Sequence, residues 1–286
     1  MNTYLEVKKL SKSFASFQLH NISFTLPEGC IMGLIGPNGS GKTTIIKLIL
    51  NMLKRNSGEI KIMGLDNIAD EQKAKAELGV VFDTNYFSDD WQVTQVEKSI
   101  SVFYPDWNSN RFAEMLQKFH IVPTKKVKEL SKGMQMKLML ACAFSYDAKL
   151  LILDEPTSGL DPVSRDELLQ ILSEYIKDGK HSVLFSTHIS GDLERAANYI
   201  TYISYGELFF SGIKDEFVDM FRIVRGGIDK LSANLKAKAV GVRTFPTKFE
   251  ALVKTEDINA FSDLDIELAT IDEIIVFTSK KGEDYE

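Results

Sequence analysis

Cysteine and long apolar runs are scarce in this sequence. It has 2 cysteines in 286 residues, and Cys30 and Cys142 have neither the spacing of a metal site nor that of a disulfide framework. We therefore expect two free, buried thiols in a reducing compartment. No stretch approaches the roughly 18 consecutive apolar residues of a membrane-spanning helix, and the N-terminus lacks the apolar core of a secretory signal. If the protein works at a membrane, we expect it to dock on another chain.

An excess of positive charge is also missing. Lysine and arginine total 34 against 40 aspartate and glutamate residues, so the formal net charge is −6 and the pI is about 5.4. This balance argues against a general nucleic-acid binder. Hydrophobic residues make up 44% and charged residues 26% of the chain, which is ordinary for a globular protein. The length predicts one large domain or two modest ones.

One glycine-rich stretch has the pattern G-x-x-x-x-G-K-[ST] of a phosphate-binding P-loop. It consists of Gly36, Pro37, Asn38, Gly39, Ser40, Gly41, Lys42 and Thr43. The apolar run 30–35 before it predicts a strand, and residues 44–50 after it predict a helix, so a chance glycine-rich turn is the weaker alternative. Glycines let backbone N–H groups surround an anion, and the helix points its positive end at the phosphates. We expect Lys42 to reach the β- and γ-phosphates and the Thr43 hydroxyl to bind Mg²⁺.

A second acidic motif, Leu153-Asp154-Glu155-Pro156, ends a continuous apolar run that predicts a central parallel strand over 150–153. Side chains at the carboxyl end of such a strand face the ligand crevice. We therefore expect Asp154 to hold Mg²⁺, directly or through water, and Glu155 to act as general base or to orient water. An acidic turn without function is the alternative, and the upstream P-loop disfavours it.

A third motif, Leu130-Ser131-Lys132-Gly133-Met134-Gln135, predicts a helix over 135–143 with Ser131 as its N-cap. A capped helix start next to glycine is a second anion site. One nucleotide does not need two such sites, which suggests that this one serves a nucleotide held by a partner subunit. The local sequence alone favours a simple capped helix.

The order of elements predicts an α/β fold with two additions. Antiparallel strands are expected near Leu5–Val7 and over 20–26, followed by the P-loop unit, a helix over 70–77 and a buried strand over 78–82. Helical signals dominate from about Asn85 to Tyr146, which indicates a helical insertion at about 85–146.

Strands and helices alternate again from Leu150. We expect a helix over 163–178, a strand over 182–186, a helix over 191–198 and a hairpin over 200–210. The nucleotide domain is expected to span 1–212 and a small α+β appendage 213–286. We expect strands over 239–245 and 249–255 in it, while 271–279 is compatible with a helix or a strand.

In its order of motifs the chain resembles the ATP-binding cassette (ABC) family, the ATPase subunits of ABC transporters. Gly36–Thr43 matches the Walker A motif, Leu151–Glu155 the Walker B motif, and Leu130–Met134 the signature loop. Ser158–Asp161 matches the D-loop and His188 the switch histidine. The resemblance covers residues 1 to about 212. It implies a P-loop NTPase fold of ABC type with an antiparallel β subdomain and a helical insertion.

The resemblance also implies ligands and partners. Two subunits would form a head-to-tail dimer around two ATP molecules with Mg²⁺, on the cytoplasmic face of the cell membrane, beside a separate transmembrane subunit and without nucleic acid. Glu155 and His188 would be catalytic. ATP would contact the Walker A residues with Thr44, and also Ser131, Gly133 and Asp161. Phe14 sits where the family places an aromatic that stacks on adenine, although Phe17 is close enough to compete and either could be core.

Two residues depart from the family pattern. Asp83 stands where the family usually has glutamine, and it joins Thr43 and Asp154 as an expected Mg²⁺ ligand. Lys132 replaces a common glycine in the signature loop and could help to neutralise phosphate. We expect a working ATPase in spite of both changes.

The leading hypothesis is an ATPase subunit that powers a membrane transporter, resembling bacterial drug or peptide exporters of the bacitracin-resistance type. Alternatives are a non-transport ABC ATPase acting on ribosomes or DNA, and a nucleotide-binding regulator with weak turnover. A single cassette without sustained heptads disfavours the ribosome or DNA alternative. The cargo, its direction of transport and the identity of the dimer partner are left open.

Overall fold

The computed structural model describes residues 2–279, which form two compact units. The first comprises the chain up to His188 together with Arg195–Ser211, and the second comprises Ile189–Glu194 and the chain from Gly212 on. Residues after Ser279 lie outside the described part. Within residues 2–279, every helix is too short or too polar to cross a membrane.

The strands up to Ile213 form two sheets of different kinds. In chain order they are β1 (Thr3–Ser13), β2 (Gln18–Pro27), β3 (Ile31–Ile35), β4 (Ser57–Ile62), β5 (Leu65–Asp66), β6 (Leu78–Val81), β7 (Leu150–Asp154), β8 (Ser182–Thr187), β9 (Tyr199–Ser204) and β10 (Glu207–Ile213). One sheet has the order β2-β1-β4-β5 and is antiparallel, and the other has the order β10-β9-β3-β8-β7-β6.

The antiparallel sheet confirms the expected strand over 20–26, where Ile22, Phe24 and Leu26 alternate into the core. The strand near Leu5–Val7 is longer than expected, because β1 continues through irregular pairing to Ser13. Lys9 has a φ of 47° at this irregularity. Such a bulge interrupts the period-2 pattern by which a strand is recognised in sequence.

The other sheet contains a parallel core made of β9, β3, β8, β7 and β6. All five residues of β7 are buried, which confirms the central parallel strand expected there. The hairpin expected over 200–210 is also present, since Tyr205 and Gly206 both have positive φ between the neighbouring strands β9 and β10. Two such residues form the tight turn that suits a twisted hairpin.

Helices flank these strands and fill the region between β6 and β7. They are α1 (Lys42–Ile49), α2 (Glu71–Ala76), α3 (Val93–Ser101), α4 (Ser109–Lys118), α5 (Lys132–Ser145), α6 (Pro162–Tyr175) and α7 (Ser190–Ala196), with a 3₁₀ helix over Val127–Glu129. The region expected to be helical therefore contains α3, α4 and α5. Ser131 caps α5, as predicted, by accepting a hydrogen bond from Met134 N at 3.3 Å.

The two thiols differ in burial. Cys142 on α5 is buried, and its burial raises the pKa of the thiol. Cys30 is only half-buried, which corrects the expectation that both are enclosed, although burial raises its pKa too. Both thiols are free, as predicted.

The second unit is an α+β structure built around one antiparallel sheet. Its elements are α8 (Lys214–Asp219), β11 (Phe221–Gly227), α9 (Ala233–Lys238), β12 (Ala239–Thr244), β13 (Lys248–Lys254), β14 (Asp265–Leu268) and α10 (Ile271–Thr278), with 3₁₀ helices over Ile228–Lys230 and Thr255–Phe261. The sheet order is β12-β13-β11-β14. The two strands expected here are confirmed as β12 and β13, and the segment left open is helical. β11, which pairs with both β13 and β14, was not predicted from the sequence.

Candidate functional site

Three neighbouring parallel strands end at the candidate site. In the register of the sheet, Ile35 at the end of β3 lies opposite Thr187 of β8, and Asp154 at the end of β7 lies opposite Ser186. The P-loop, Glu155 and His188 each follow one of these strand ends. The topology therefore brings the three expected motifs to one edge of the sheet, where α/β proteins bind ligands.

Two glycines allow the P-loop to take its shape. A Cβ on Gly36 would lie 2.0 Å from the carbonyl oxygen of Ile203, so this position admits only a hydrogen atom. Gly41 has a φ of 109° and is the N-cap of α1, where no side chain caps the helix. The first N–H groups of α1 therefore stay available to an anion.

Lys42 is buried at the start of α1, with 6% of its side chain exposed. Its Nζ donates to the carbonyl oxygens of Gly36 at 2.8 Å and Pro37 at 3.3 Å, and lies 3.7 Å from Oε1 of Glu155. Burial lowers the pKa of Lys42, while the carboxylates of Glu155 and Asp154 oppose this shift. Burial of the ammonium still has the larger effect on its pKa, and a phosphate in the loop would compensate the buried charge.

A hydrogen-bonded group of oxygen atoms lies beside Lys42. Thr43 Oγ1 donates to Asp154 Oδ1 at 3.1 Å, and Ser186 Oγ donates to the same oxygen at 2.6 Å. Ser186 also accepts from Glu155 N at 2.9 Å. Ser186 was not among the site residues predicted from the sequence. The one sequence feature that indicates it is its position near the end of a buried strand, two residues before His188.

These oxygens fit the expected Mg²⁺ and triphosphate. Hydroxyl and carboxylate oxygens are the ligands that Mg²⁺ takes in proteins, alongside phosphate oxygens and water. Within residues 2–279 no group of three or more His, Cys, Asp or Glu side chains could hold a metal alone, so Thr43 and Asp154 would share the ion with the nucleotide. Ser40 adds a buried hydroxyl in the P-loop that has no hydrogen-bond partner in the described chain, as a phosphate site would leave it.

Glu155 and His188 form the remaining contact. His188 Nδ1 lies 2.8 Å from Oε2 of Glu155, while Oε1 of the same carboxylate faces Lys42. Glu155 has a φ of 50°, a left-handed conformation that is unfavourable for a glutamate and is found at functional sites. The carboxylate is thus held between an imidazole and an ammonium, where a water attacking a phosphate could lose its proton.

A cavity of about 620 Å³ adjoins these groups. It is lined by Ser16, Phe17, Asn38, Gly39, Gly41, Lys42, Thr43, Thr44, Asp83, Glu155, Ser158 and His188. The structure therefore brings Thr44 and Asp83 beside the P-loop.

The two aromatic candidates for adenine stacking differ in position. Phe17 lines the cavity, whereas Phe14 does not and has 44% of its surface exposed. Their rings lie 6.4 Å apart at an angle of 30°, and Lys12 Nζ lies 5.2 Å from the centre of the Phe14 ring. An exposed, flat ring suits stacking, so stacking on Phe14 stays a prediction and Phe17 an alternative.

Gly36, Pro37 and Ser40 of the P-loop do not line this cavity, and neither do three expected nucleotide ligands outside the P-loop: Ser131, Gly133 and Asp161. Ser131 caps α5. Asp161 caps α6 by accepting from Val163 N at 3.0 Å and Ser164 N at 3.1 Å. Hydrogen bonds from Ser164 and Val163 lower the pKa of the Asp161 carboxyl. Their roles toward nucleotide stay predictions that require a second subunit.

Comparison with known proteins places this site in context. The model of the family described as "ABC transporter" matches residues 19–158. The chain is 32% identical over 219 residues to the ABC transporter ATP-binding protein YtrB of Bacillus subtilis, covering 75% of each protein. It is 34% identical over 226 residues to the Nod factor export ATP-binding protein I of Sinorhizobium fredii, covering 75% of this chain and 64% of the relative. A solved ATP-binding subunit of an ABC transporter superposes with a TM-score of 0.68 at 27% identity, covering 74% of this chain and 91% of that one.

Proposed function

The chain belongs to the family of ABC transporter ATP-binding proteins, and from this premise we propose that it powers the export of a peptide or drug. It is an ATPase subunit of a transporter. The observation that carries the catalytic part is the contact between Glu155 and His188 in the cavity that also contains Lys42 and Thr43. The export direction is supported by the similarity to a relative named for Nod factor export.

The residues of the site divide the work of phosphoryl transfer. Lys42 and the N–H groups of the P-loop bind and position the phosphates. Thr43 and Asp154, with Asp83 nearby, would hold Mg²⁺, which offsets negative charge on the phosphates when it is bound. Glu155 orients the attacking water and accepts its proton, and His188 fixes the Glu155 carboxylate through Nδ1.

The proposal includes two partners. A second ABC subunit would present the α5 start, with Ser131 and Gly133, to the nucleotide of the first in a head-to-tail dimer. A separate transmembrane protein would carry the cargo, which places this subunit at the cytoplasmic face of the membrane. These assignments rest on family membership and on the capped N-terminus of α5, whose positive end attracts an anion.

Hydrolysis by purified protein tests the catalytic proposal. We expect Glu155→Gln to lower the rate of ATP hydrolysis by at least about 100-fold while Mg-ATP still binds, because the general base is lost and the phosphate contacts remain. Lys42→Ala should abolish binding. Glu114→Gln, which removes an exposed carboxylate on α4, is the matched control and should hydrolyse ATP normally. Unchanged hydrolysis in Glu155→Gln would contradict the assignment.

Isolation of the protein from its native cell tests the transport proposal. The tagged protein should co-purify with a multi-span membrane protein. A strain that lacks the protein should accumulate more of the exported peptide or drug than the parent strain, or be more sensitive to it. Co-purification with ribosomes or DNA instead would contradict it.

A further inference from the structure

The candidate site carries an excess of negative charge. The carboxylates of Asp83, Asp154 and Glu155 lie at or beside the cavity, and Lys42 is the only lysine or arginine among the residues that line it. A nucleoside triphosphate adds about four negative charges, of which one Mg²⁺ offsets two. A closed, dry site around this ligand therefore needs positive charge from outside the cavity.

Lys132 is a cation without a counter-ion among residues 2–279. It is the exposed first residue of α5, the first turn of that helix has no acidic residue, and no described carboxylate lies within ion-pair distance of it. A cation at a helix N-terminus is electrostatically unfavourable. Lys137 on the same helix differs, since its Nζ lies 2.5 Å from Glu167 Oε2.

The loop after β7 passes beside the Lys132 side chain. Lys132 Nζ lies 3.2 Å from the position that a Cβ on Gly159 would occupy, and the stem carbons follow at 3.7 and 3.9 Å. Gly159 has a φ of 71° and no side chain, so it leaves space for the lysine. Gly133 packs similarly on Ser164, with 3.4 Å from its would-be Cβ to Ser164 Oγ. The Lys132 side chain thus lies between the start of α5 and the loop at Gly159, on the side expected to face a partner's nucleotide.

We propose that Lys132 of one copy offsets the charge of Asp83 in a second copy when the two close on Mg-ATP. This inference rests on the head-to-tail dimer of the proposed function and goes beyond it by coupling the two departures from the family pattern. Asp83 adds a negative charge beside the phosphates of one site, and Lys132 adds a positive charge from the opposite side. Each residue alone disturbs the electrostatic balance of the closed site, and together they restore it.

A double-mutant cycle on ATP-dependent dimerisation tests the coupling. The full-length protein carries Glu155→Gln throughout, so that Mg-ATP is bound without turnover, and the dimer dissociation constant is measured by sedimentation. We expect Lys132→Ala to weaken the dimer about tenfold when Asp83 is present, but less than about threefold when Asp83→Asn is also present, because opposite charges in a partly desolvated interface couple with about this strength. Lys132→Arg should restore the native constant, and Lys118→Ala, which removes an exposed lysine from α4, should leave it unchanged.

Mixing variants shows whether the coupling acts between subunits. In a mixture of Lys132→Ala and Asp83→Asn proteins, a mixed dimer has one site with both native residues and one site with neither. This mixed dimer should form more tightly than the Lys132→Ala homodimer by at least about fivefold, after correction for statistics.

Three results would overturn the inference. Additive effects in the cycle would mean that Lys132 and Asp83 do not interact, and a mixed dimer no tighter than the mean of the homodimers would mean that they do not interact between subunits. If the protein binds Mg-ATP but stays monomeric, the closed dimer does not form and this inference fails. The nucleotide site of the proposed function would then be unaffected. Loss of Mg-ATP binding itself would instead contradict the proposed function.

Discussion

Gly36 has room for a hydrogen atom and nothing larger, because the carbonyl oxygen of Ile203 occupies the place of a side chain. Lys42 and Glu155 are equally constrained, one by burial and the other by a left-handed backbone. At the scale of single residues, the site is therefore rigid before any ligand arrives. Rigid placement of phosphate donors and of a base is what phosphoryl transfer requires of a protein.

The steric argument at Gly36 can be tested with alanine. Gly36→Ala should weaken Mg-ATP binding at least tenfold, because the P-loop must shift by about 1 Å to relieve a contact of 2.0 Å. Gly64→Ala is the matched control, since Gly64 also has positive φ but no atom within 4 Å of its would-be Cβ. Isothermal titration calorimetry measures the Mg-ATP dissociation constant of both variants. An unchanged constant in Gly36→Ala would contradict the steric argument.

The contact between His188 and Glu155 gives a second test at this scale. His188→Ala should slow ATP hydrolysis by about 100-fold, while the dissociation constant of Mg-ATP changes by less than about threefold, because Lys42 and the P-loop N–H groups would still bind the phosphates. Single-turnover hydrolysis and nucleotide titration separate the two effects. His20→Ala, an exposed histidine on β2, serves as control, and a large loss of binding in His188→Ala would show that the histidine acts in binding instead.

Asp147 joins elements that are distant in sequence. Its carboxylate contacts Arg111 of α4 at 2.8 Å, Lys149 just before β7, and His181 Nε2 just before β8 at 3.3 Å. Burial acts to raise the pKa of Asp147, but the hydrogen bonds from Lys149 and Arg111 outweigh it and hold the pKa well below its usual range. At the scale of elements, one carboxylate thus fixes the helical region against the parallel sheet.

Removal of the Asp147 carboxylate should lower the free energy of unfolding by an amount that depends on pH. Because its pKa is lower in the folded state than in the unfolded state, Asp147 stabilises the fold above about pH 4 and loses this effect as the pH falls through the folded-state pKa. Asp147→Asn should therefore lower the free energy of unfolding by about 1 kcal/mol at pH 7, a modest value because the group is partly exposed.

Urea denaturation at pH 7, 5 and 3.5 measures the effect. The difference between Asp147→Asn and the unsubstituted protein should persist at pH 5 and shrink at pH 3.5. Asp106→Asn, at an exposed aspartate in the loop before α4, should show no difference at any pH. A difference that grows toward acid would contradict the assignment.

Sequence patterns predicted the elements whose signals are local. The apolar run of β7, the glycine spacing of the P-loop and the N-cap at Ser131 each follow from neighbouring residues, and each is present. The full length of β1 and the existence of β11 were missed, since bulges and mixed charged and apolar residues hide the strand period. Ser186 was also missed, because its contacts with Asp154 and Glu155 depend on strand register, which local sequence does not encode.

The second unit shows how a single arginine can organise a small fold. Arg225 of β11 contacts Glu250 of β13 at 3.4 Å, Glu267 of β14, and Glu273 of α10 at 2.7 Å. Burial acts to lower its pKa, but the nearby carboxylates raise it overall. One apolar cluster of this unit consists of Val224, Leu235, Phe249, Ala251, Val253 and Phe261. At the scale of the whole molecule, ionic contacts therefore supplement apolar packing in this unit.

Arg225→Met should destabilise the second unit, because it leaves three carboxylates close together without their cation. We expect a loss of about 1–2 kcal/mol in the free energy of unfolding of this unit. Hydrogen exchange of β11, β13 and α10 measures it directly. Lys230→Met, at an exposed lysine of the same unit, should exchange normally. Undiminished protection of β14 and α10 in Arg225→Met would show that the contacts carry no stability.

The place of β3 in its sheet has a consequence for synthesis on the ribosome. The P-loop strand lies between β8 and β9, so both of its neighbours come from the last part of the first unit and end at Ser204. A nascent chain that ends before Ser204 contains the complete phosphate-binding motif but lacks all or part of at least one of the two flanking strands. The growing polypeptide therefore carries the motif through most of its translation before it can bind a nucleotide. Nucleotide binding should begin abruptly when Ser204 has left the ribosomal exit tunnel.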